Sequence, residues 1–231
     1  MNPYERAFVD VLHSLDNAAR TAGRPGAPRL LAVSKTRTAG EVVALAELGQ
    51  KAFGENYVQE AAGKIATLVG LGLEWHLIGH LQSNKAREAA RDFDWVQTVD
   101  RPKLASALAR HRPDGMSPLN VLLQVNIDDE ASKHGCGPGD IPALAEAVAA
   151  EPRLALRGLM AIPTPHADPK QCRPAFRRMR ELFERLRASH PSVDTLSMGM
   201  SEDFAIAIAE GATMVRVGSA LFGARPPKET A

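Results

Sequence analysis

Cysteine is scarce in this chain: Cys136 and Cys172 are the only two in 231 residues, and no C-x-x-C pair occurs. That count excludes a zinc ribbon and a disulfide framework, and it fits free thiols in a reducing compartment. Net charge is nearly absent, with 28 Lys plus Arg against 27 Asp plus Glu for a formal +1. No global field is built for nucleic acid or a membrane surface. No run approaches the roughly 18 apolar residues of a membrane span. The opening Met1-Asn2-Pro3-Tyr4-Glu5-Arg6 lacks the apolar segment of a secretory signal. The expected location is the cytoplasm. No G-x-G-x-x-G follows a strand-like run, which argues against a dinucleotide-binding sheet.

The composition is that of an ordinary globular protein, 45% hydrophobic and 24% charged. Its length suits one core and lies near the roughly 250 residues of a compact (β/α)8 barrel. Short apolar runs alternate with longer helix-like stretches. Eight strands are expected, at 30–33, 51–54, 74–78, 95–99, 120–125, 156–160, 195–198 and 214–217. Several are unbroken apolar runs, as in parallel strands buried on both faces. Thr38 to Glu41 has the form of a capping box, and Asp100 and Asp140 each precede a proline as N-cap candidates. In 171–189, Phe176, Met179, Leu182, Phe183 and Leu186 form one helical face. The arginines and glutamates around them read as a solvated face paired at i,i+4. Residues 3–22 read as an additional helix with Phe8, Val11, Leu12 and Leu15 on one side. The pattern predicts an α/β fold: one domain over 1–231, a single (β/α)8 TIM barrel with an extra N-terminal helix. An open doubly wound sheet is the alternative.

In such barrels functional groups gather at the C-terminal ends of the strands. The first strand ends at Lys35, where partial burial favours the neutral, nucleophilic amine. The second leads into Asn56, a donor and acceptor for a ring substituent. The third carries His76 and His80, but their four-residue spacing makes a metal site on a helix, not on a strand, so no metal is expected. His80 is expected to line the pocket. The seventh runs into Ser201, an N-cap candidate before Glu202 and Asp203, which have to face away from any bound phosphate. The eighth holds Arg216 inside an apolar run, where an unpartnered charge is costly. Gly218 and Ser219 follow it and open a short helix, the usual phosphate position in these barrels. A Schiff-base lysine, an anion cradle and a buried arginine suit pyridoxal 5′-phosphate (PLP), an aldehyde on an aromatic ring that bears a phosphate. A sugar phosphate reacting directly with Lys35, as in an aldolase, meets the lysine and cradle equally well.

The segments LLAVSKT (30–36), FGENYVQE (53–60), EWHLIGHLQSNK (74–85), LRGLMAIP (156–163), LSMGMSEDF (196–204) and MVRVGSALFGAR (214–225) narrow this further. Together they resemble the PLP homeostasis proteins, the YggS/PROSC family, which have the barrel of the alanine racemase N-terminal domain without its second domain. The resemblance implies that Lys35 holds PLP as an internal aldimine. It implies that Ser201, Gly218 and Ser219 bind the phosphate, that Arg216 faces the pyridine nitrogen, and that Asn56 lies near the ring. A cationic partner disfavours protonation of that nitrogen, so the ring is a weaker electron sink.

The implied function is PLP homeostasis without catalysis, with PLP-dependent apoenzymes as candidate partners. No nucleic acid or membrane partner is expected, and a monomer is expected from the polar outer helices. The resemblance also implies a contrast with alanine racemases, which take an acid/base tyrosine from their second domain. The chain has only Tyr4 and Tyr57. A small PLP-dependent amino-acid racemase with Lys35 as one base is the alternative. The loop at 128–139, with Lys133, His134 and Cys136, reads as a pocket cover, a partner surface or a plain loop.

Overall fold

The computed structural model describes residues 2–130, 133–166 and 168–223. Ser132 of the loop at 128–139, and Ala224 and Arg225 at the end of the last motif, lie outside the described residues.

Eight parallel strands close into a barrel in chain order. They are β1 (Arg29–Val33), β2 (Ala52–Glu55), β3 (Glu74–Leu77), β4 (Trp95–Val99), β5 (Leu119–Gln124), β6 (Leu154–Met160), β7 (Thr195–Ser197) and β8 (Met214–Val217). The ring shuts where β8 pairs with β1, Leu31 opposite Arg216. All eight expected strands are present, and the open sheet is excluded by this closure. Helices cover the outside: α1 (Glu5–Thr21), α2 (Ala39–Glu47), α3 (Val58–Leu68), α4 (Ala86–Asp92), α5 (Pro102–His111), α6 (Ile141–Ala149), α7 (Arg173–Ser189), α8 (Phe204–Ala209) and α9 (Ser219–Phe222).

Side-chain alternation sorts the strand residues into two cores. Leu30 and Ala32 join the large core between strands and helices, whereas Leu31 and Val33 belong to a separate cluster with Ala52, Ile78 and Met214. Likewise Val121 and Leu123 face the helices, and Leu122 packs inside with Trp95 and Met160. This period of two places one set in the barrel interior.

Local signals act as expected in part. Thr38 and Glu41 form the capping box at α2. Asp100 caps nothing: Arg101 is the N-cap of α5, and the Asp100 carboxylate pairs with its guanidinium. Asp140 occupies the α6 N-cap position but accepts from the Gly137 amide, 3.2 Å, rather than from the helix. On α1, Phe8, Val11 and Leu15 are buried but Leu12 is 38% exposed, because the buried stripe is narrower than the sequence pattern. The apolar face of α7 is buried throughout. Among the described residues its arginines do not pair along the helix. Arg173, Arg177 and Arg180 instead converge on the buried carboxylate of Glu210, between α8 and β8.

A chain of polar side chains crosses the barrel interior. Arg216 Nη1 donates to Ser197 Oγ at 2.8 Å, and Ser197 Oγ donates to Gln97 Oε1 at 2.7 Å. Gln97 Nε2 meets His76 Nδ1 at 2.9 Å, and His76 Nε2 meets Glu74, which is held by Arg29 at 2.7 Å. Full burial pushes the imidazole below its usual pKa, toward the neutral form. The neutral tautomer with hydrogen on Nε2 satisfies every link: it accepts from Gln97 and donates to Glu74. The hydrogen bond from His76 and the Arg29 guanidinium hold the Glu74 carboxyl below the usual carboxylate range against its burial. The His76 ring also stacks on Trp95, centroids 5.1 Å apart. Replacing Gln97 by Leu strands both Ser197 and His76, at about 1–3 kcal/mol for each unsatisfied group. Urea unfolding of Gln97→Leu is expected to give a stability about 3 kcal/mol below wild type. A loss under about 0.5 kcal/mol, the size of an ordinary surface substitution, contradicts this account of the interior.

Candidate functional site

Above that chain, at the C-terminal mouth of the barrel, lies a cavity of about 350 Å³. This is within the range of small-molecule sites. Lys35, Asn56, Ser201, Arg216, Gly218 and Ser219 all line it. They come from the ends of β1, β2, β7 and β8, so the closed barrel assembles in one place what lies 183 residues apart in sequence between Lys35 and Gly218.

Lys35 is half-buried, and its backbone is held from both sides. The preceding Ser34 is fully buried; its amide donates to Gly54 O at 3.0 Å and its hydroxyl to Glu55 Oε1 at 2.6 Å. The following Thr36 has φ 65°, and its amide donates to Glu60 Oε1 at 2.6 Å. A left-handed β-branched residue costs of order 1–3 kcal/mol and persists only where its surroundings impose it. Here the imposing group is Lys64. Its ammonium donates to Ser34 O at 2.7 Å and to Glu55 and Glu60 at 2.8 Å each. Burial pushes the Glu55 carboxyl up, and Lys64 and Ser34 oppose that shift.

Beside Lys35, where β8 pairs with β1, the loops after β7 and β8 meet. Ser219 Oγ donates to Ser201 Oγ at 3.2 Å, and α9 begins at Ser219. Ser201 is not the expected N-cap: α8 starts three residues later, behind Asp203. The acids do not leave the cavity either. Glu202 and Asp203 both line it, although Asp203 Oδ1 accepts the Met200 amide at 2.6 Å. Burial raises the Asp203 carboxyl, and Arg216 opposes this.

Arg216 forms part of the cavity lining and is 3% exposed. Its guanidinium donates to Ser197 O at 2.9 Å, Ser197 Oγ at 2.8 Å and Ala161 O at 2.8 Å. Desolvation brings its pKa down to about 10, so it stays charged at neutral pH.

The expectation for His80 also fails: it is not in the cavity lining but stacks on His134. Other lining residues were passed over: Ile162, Pro165, His166 and Cys172, from the segment after β6. Ile162 lies within LRGLMAIP (156–163), and Pro165 and His166 follow shortly after it.

The arrangement offers a nucleophilic amine, a cradle of small residues and hydroxyls, and a fixed cation around one small volume. The same architecture recurs in known proteins. The family model for the alanine racemase N-terminal domain matches residues 10–226. A pyridoxal phosphate homeostasis protein from Pseudomonas aeruginosa is 56% identical over 226 residues, covering 97% of each chain. One from Escherichia coli K12 is 48% identical over 229 residues, covering 97% of this chain and 98% of the relative. PipY of Synechococcus elongatus, solved without PLP, superposes with TM-score 0.85 at 37% identity, covering 95% of this chain and all of PipY. The PipY structure with PLP bound gives TM-score 0.82 at 34% identity and the same coverage. Alanine racemase from Corynebacterium glutamicum shares the fold alone, at 20% identity and TM-score 0.63, with 62% of its chain covered. Matched along nearly its whole length, both by the family model and by close relatives, the chain belongs to the alanine racemase N-terminal-domain family and, within it, to the pyridoxal phosphate homeostasis proteins.

Proposed function

We propose that this protein binds PLP for cofactor homeostasis, with Lys35 as the attachment residue, and that it catalyses no reaction of its own. The observation that carries this reading is the convergence of all six expected residues on one cavity. PipY, similar over its full length, has been solved with PLP bound, which supports the same ligand here.

When bound, the cofactor supplies a reactive aldehyde on an electron-withdrawing ring. Lys35 is the residue that would hold that aldehyde, through Nζ. The Ser201 and Ser219 hydroxyls and the amides opening α9 hold the phosphate, and Asn56 contacts the ring. Arg216, charged and immobilised by three hydrogen bonds, would serve as a cationic partner for the ring nitrogen and disfavour its protonation. Neither tyrosine lines the cavity: the Tyr4 hydroxyl donates to Glu41, and Tyr57 faces solvent. That placement supports a reading without a tyrosine acid/base group. Two free, buried cysteines agree with a reducing compartment. We assign the protein to the cytoplasm, as a monomer whose recipients are PLP-dependent apoenzymes.

Visible absorption of wild type and Lys35→Ala, before and after adding PLP, tests the reading. A Schiff-base band is expected in wild type and not in the variant. Its absence from both, even with added PLP, removes the reading and brings forward a sugar phosphate as the carbonyl partner. Replacing both Ser201 and Ser219 by Ala is expected to weaken PLP binding at least about tenfold in equilibrium dialysis, since each hydrogen bond to a charged group is worth roughly 1.5–3 kcal/mol. Unchanged affinity removes both hydroxyls from the cradle. Deuterium exchange at Cα across a panel of amino acids is expected not to exceed that of free PLP. Saturable exchange that disappears in Lys35→Ala establishes the racemase alternative.

A further inference from the structure

His80 has found a different neighbour from the one its spacing suggests. His76 is buried inside the barrel, whereas His80 emerges at the rim beyond β3. There its ring lies against that of His134, from the loop after β5, with centroids 3.6 Å apart and planes at 12°. Asp100, directly after β4, completes the group. One ligand atom from each of the three lies within 4.8 Å of the others. We propose that His80, Asp100 and His134 form a site for a divalent transition-metal ion of the zinc type, on the same end of the barrel as the cavity but outside its lining.

The donor set favours this class of ion. Two imidazoles and one carboxylate suit Zn²⁺ and its first-row neighbours, whereas Mg²⁺ and Ca²⁺ demand oxygen ligands. Zinc takes such ligands at about 2.0–2.2 Å, so the three groups have to close by about an ångström from the spacing seen. Both histidines are exposed and Asp100 is half-buried, which leaves room for that rotation. Three protein ligands leave a fourth position for water.

The backbones that carry the ligands are held in place. Beside His80, a Cβ on Gly79 would stand 2.1 Å from Asn56 O, and the Gly79 carbonyl accepts from Thr98 Oγ1 at 3.0 Å. Beside His134, Gly135 has φ +128°, and a Cβ there would stand 2.6 Å from Asn126 N. The loop is tied back by Cys136 N to Gln124 O at 2.9 Å and Asn126 N to Cys136 O at 3.0 Å. The Asp100 carboxylate is oriented by Arg101, whose other nitrogen donates to Leu81 O and Ser83 Oγ at 3.3 and 3.0 Å. Such outer partners are usual around ligating carboxylates. The guanidinium also places a positive charge near the ion, so the site is weaker than a bare His₂Asp set. A bound ion would join the ends of β3 and β4 to the loop at 128–139 and supply that loop with a structural role.

Calorimetric titration of the tag-free full chain with ZnCl₂ tests the proposal, with and without PLP so that it stands apart from the cofactor reading. Wild type is expected to take up one ion per chain. His134→Ala, His80→Ala and Asp100→Asn are each expected to weaken binding about tenfold or more. His13→Ala, an exposed histidine on α1, is expected to leave it unchanged. Circular dichroism checks that each variant is folded, and the substituted side chains are on the rim rather than in the core. Wild type that binds no zinc, or rim variants that bind as wild type does, overturns the site. Zinc lost only in Lys35→Ala, with the rim variants unaffected, also overturns it, because the ion then sits in the cavity.

Discussion

The structure turns on one charge that has nowhere to go. Arg216 stands in the middle of a barrel strand, 3% exposed, and among the described residues no carboxylate comes within ion-pair distance of it. A buried cation is expensive, and the barrel meets that cost with oriented dipoles at hydrogen-bond distance, with the Asp203 carboxylate acting from beyond ion-pair distance. Two carbonyls and one hydroxyl take its hydrogen bonds, and the hydroxyl is itself directed by Gln97. From there the polarity of each link follows, through neutral His76 to the carboxylate of Glu74 and out to Arg29. An acid placed against Arg216 would neutralise it. Holding it by neutral groups keeps the guanidinium charged in the cavity lining.

The mouth of the barrel is built around that cation from two neighbouring parts. On one side Lys35 is carried by a strained backbone that Lys64, Glu55 and Glu60 impose from behind. On the other, the loops after β7 and β8 bring Ser201 and Ser219 into contact. The reactive amine and the anion cradle stand at the ends of paired strands, so neither has to be ordered when a ligand enters. A preformed site of this kind suits retention of one small molecule.

Much of this could be read in the sequence, for identifiable reasons. The strands were legible because parallel strands buried on both faces leave short apolar runs, such as 30–33 and 121–123, between polar helix faces. The cavity residues were legible because barrel chemistry sits at strand ends, which made Lys35, Asn56, Gly218 and Ser219 conspicuous. Arg216 was conspicuous for its surroundings. What escaped was mostly non-local. Gln97 and Ser197 are 100 residues apart, and nothing near either names the other. Glu210 gathers three arginines of α7 that local spacing had assigned to glutamates of the same helix. Asp100 had the look of a cap, but an adjacent guanidinium outcompeted the helix amides. His80 was compared with His76, its neighbour in the chain, when its neighbour in space is 54 residues away.

The central claim is that one lysine, fixed by its strand end, takes the aldehyde. It is tested most directly by reducing the PLP-loaded protein with borohydride, digesting it and locating the label by mass spectrometry. The account predicts a single stable label on the peptide containing Lys35. A label on another lysine, or one spread over the exposed lysines, would contradict it.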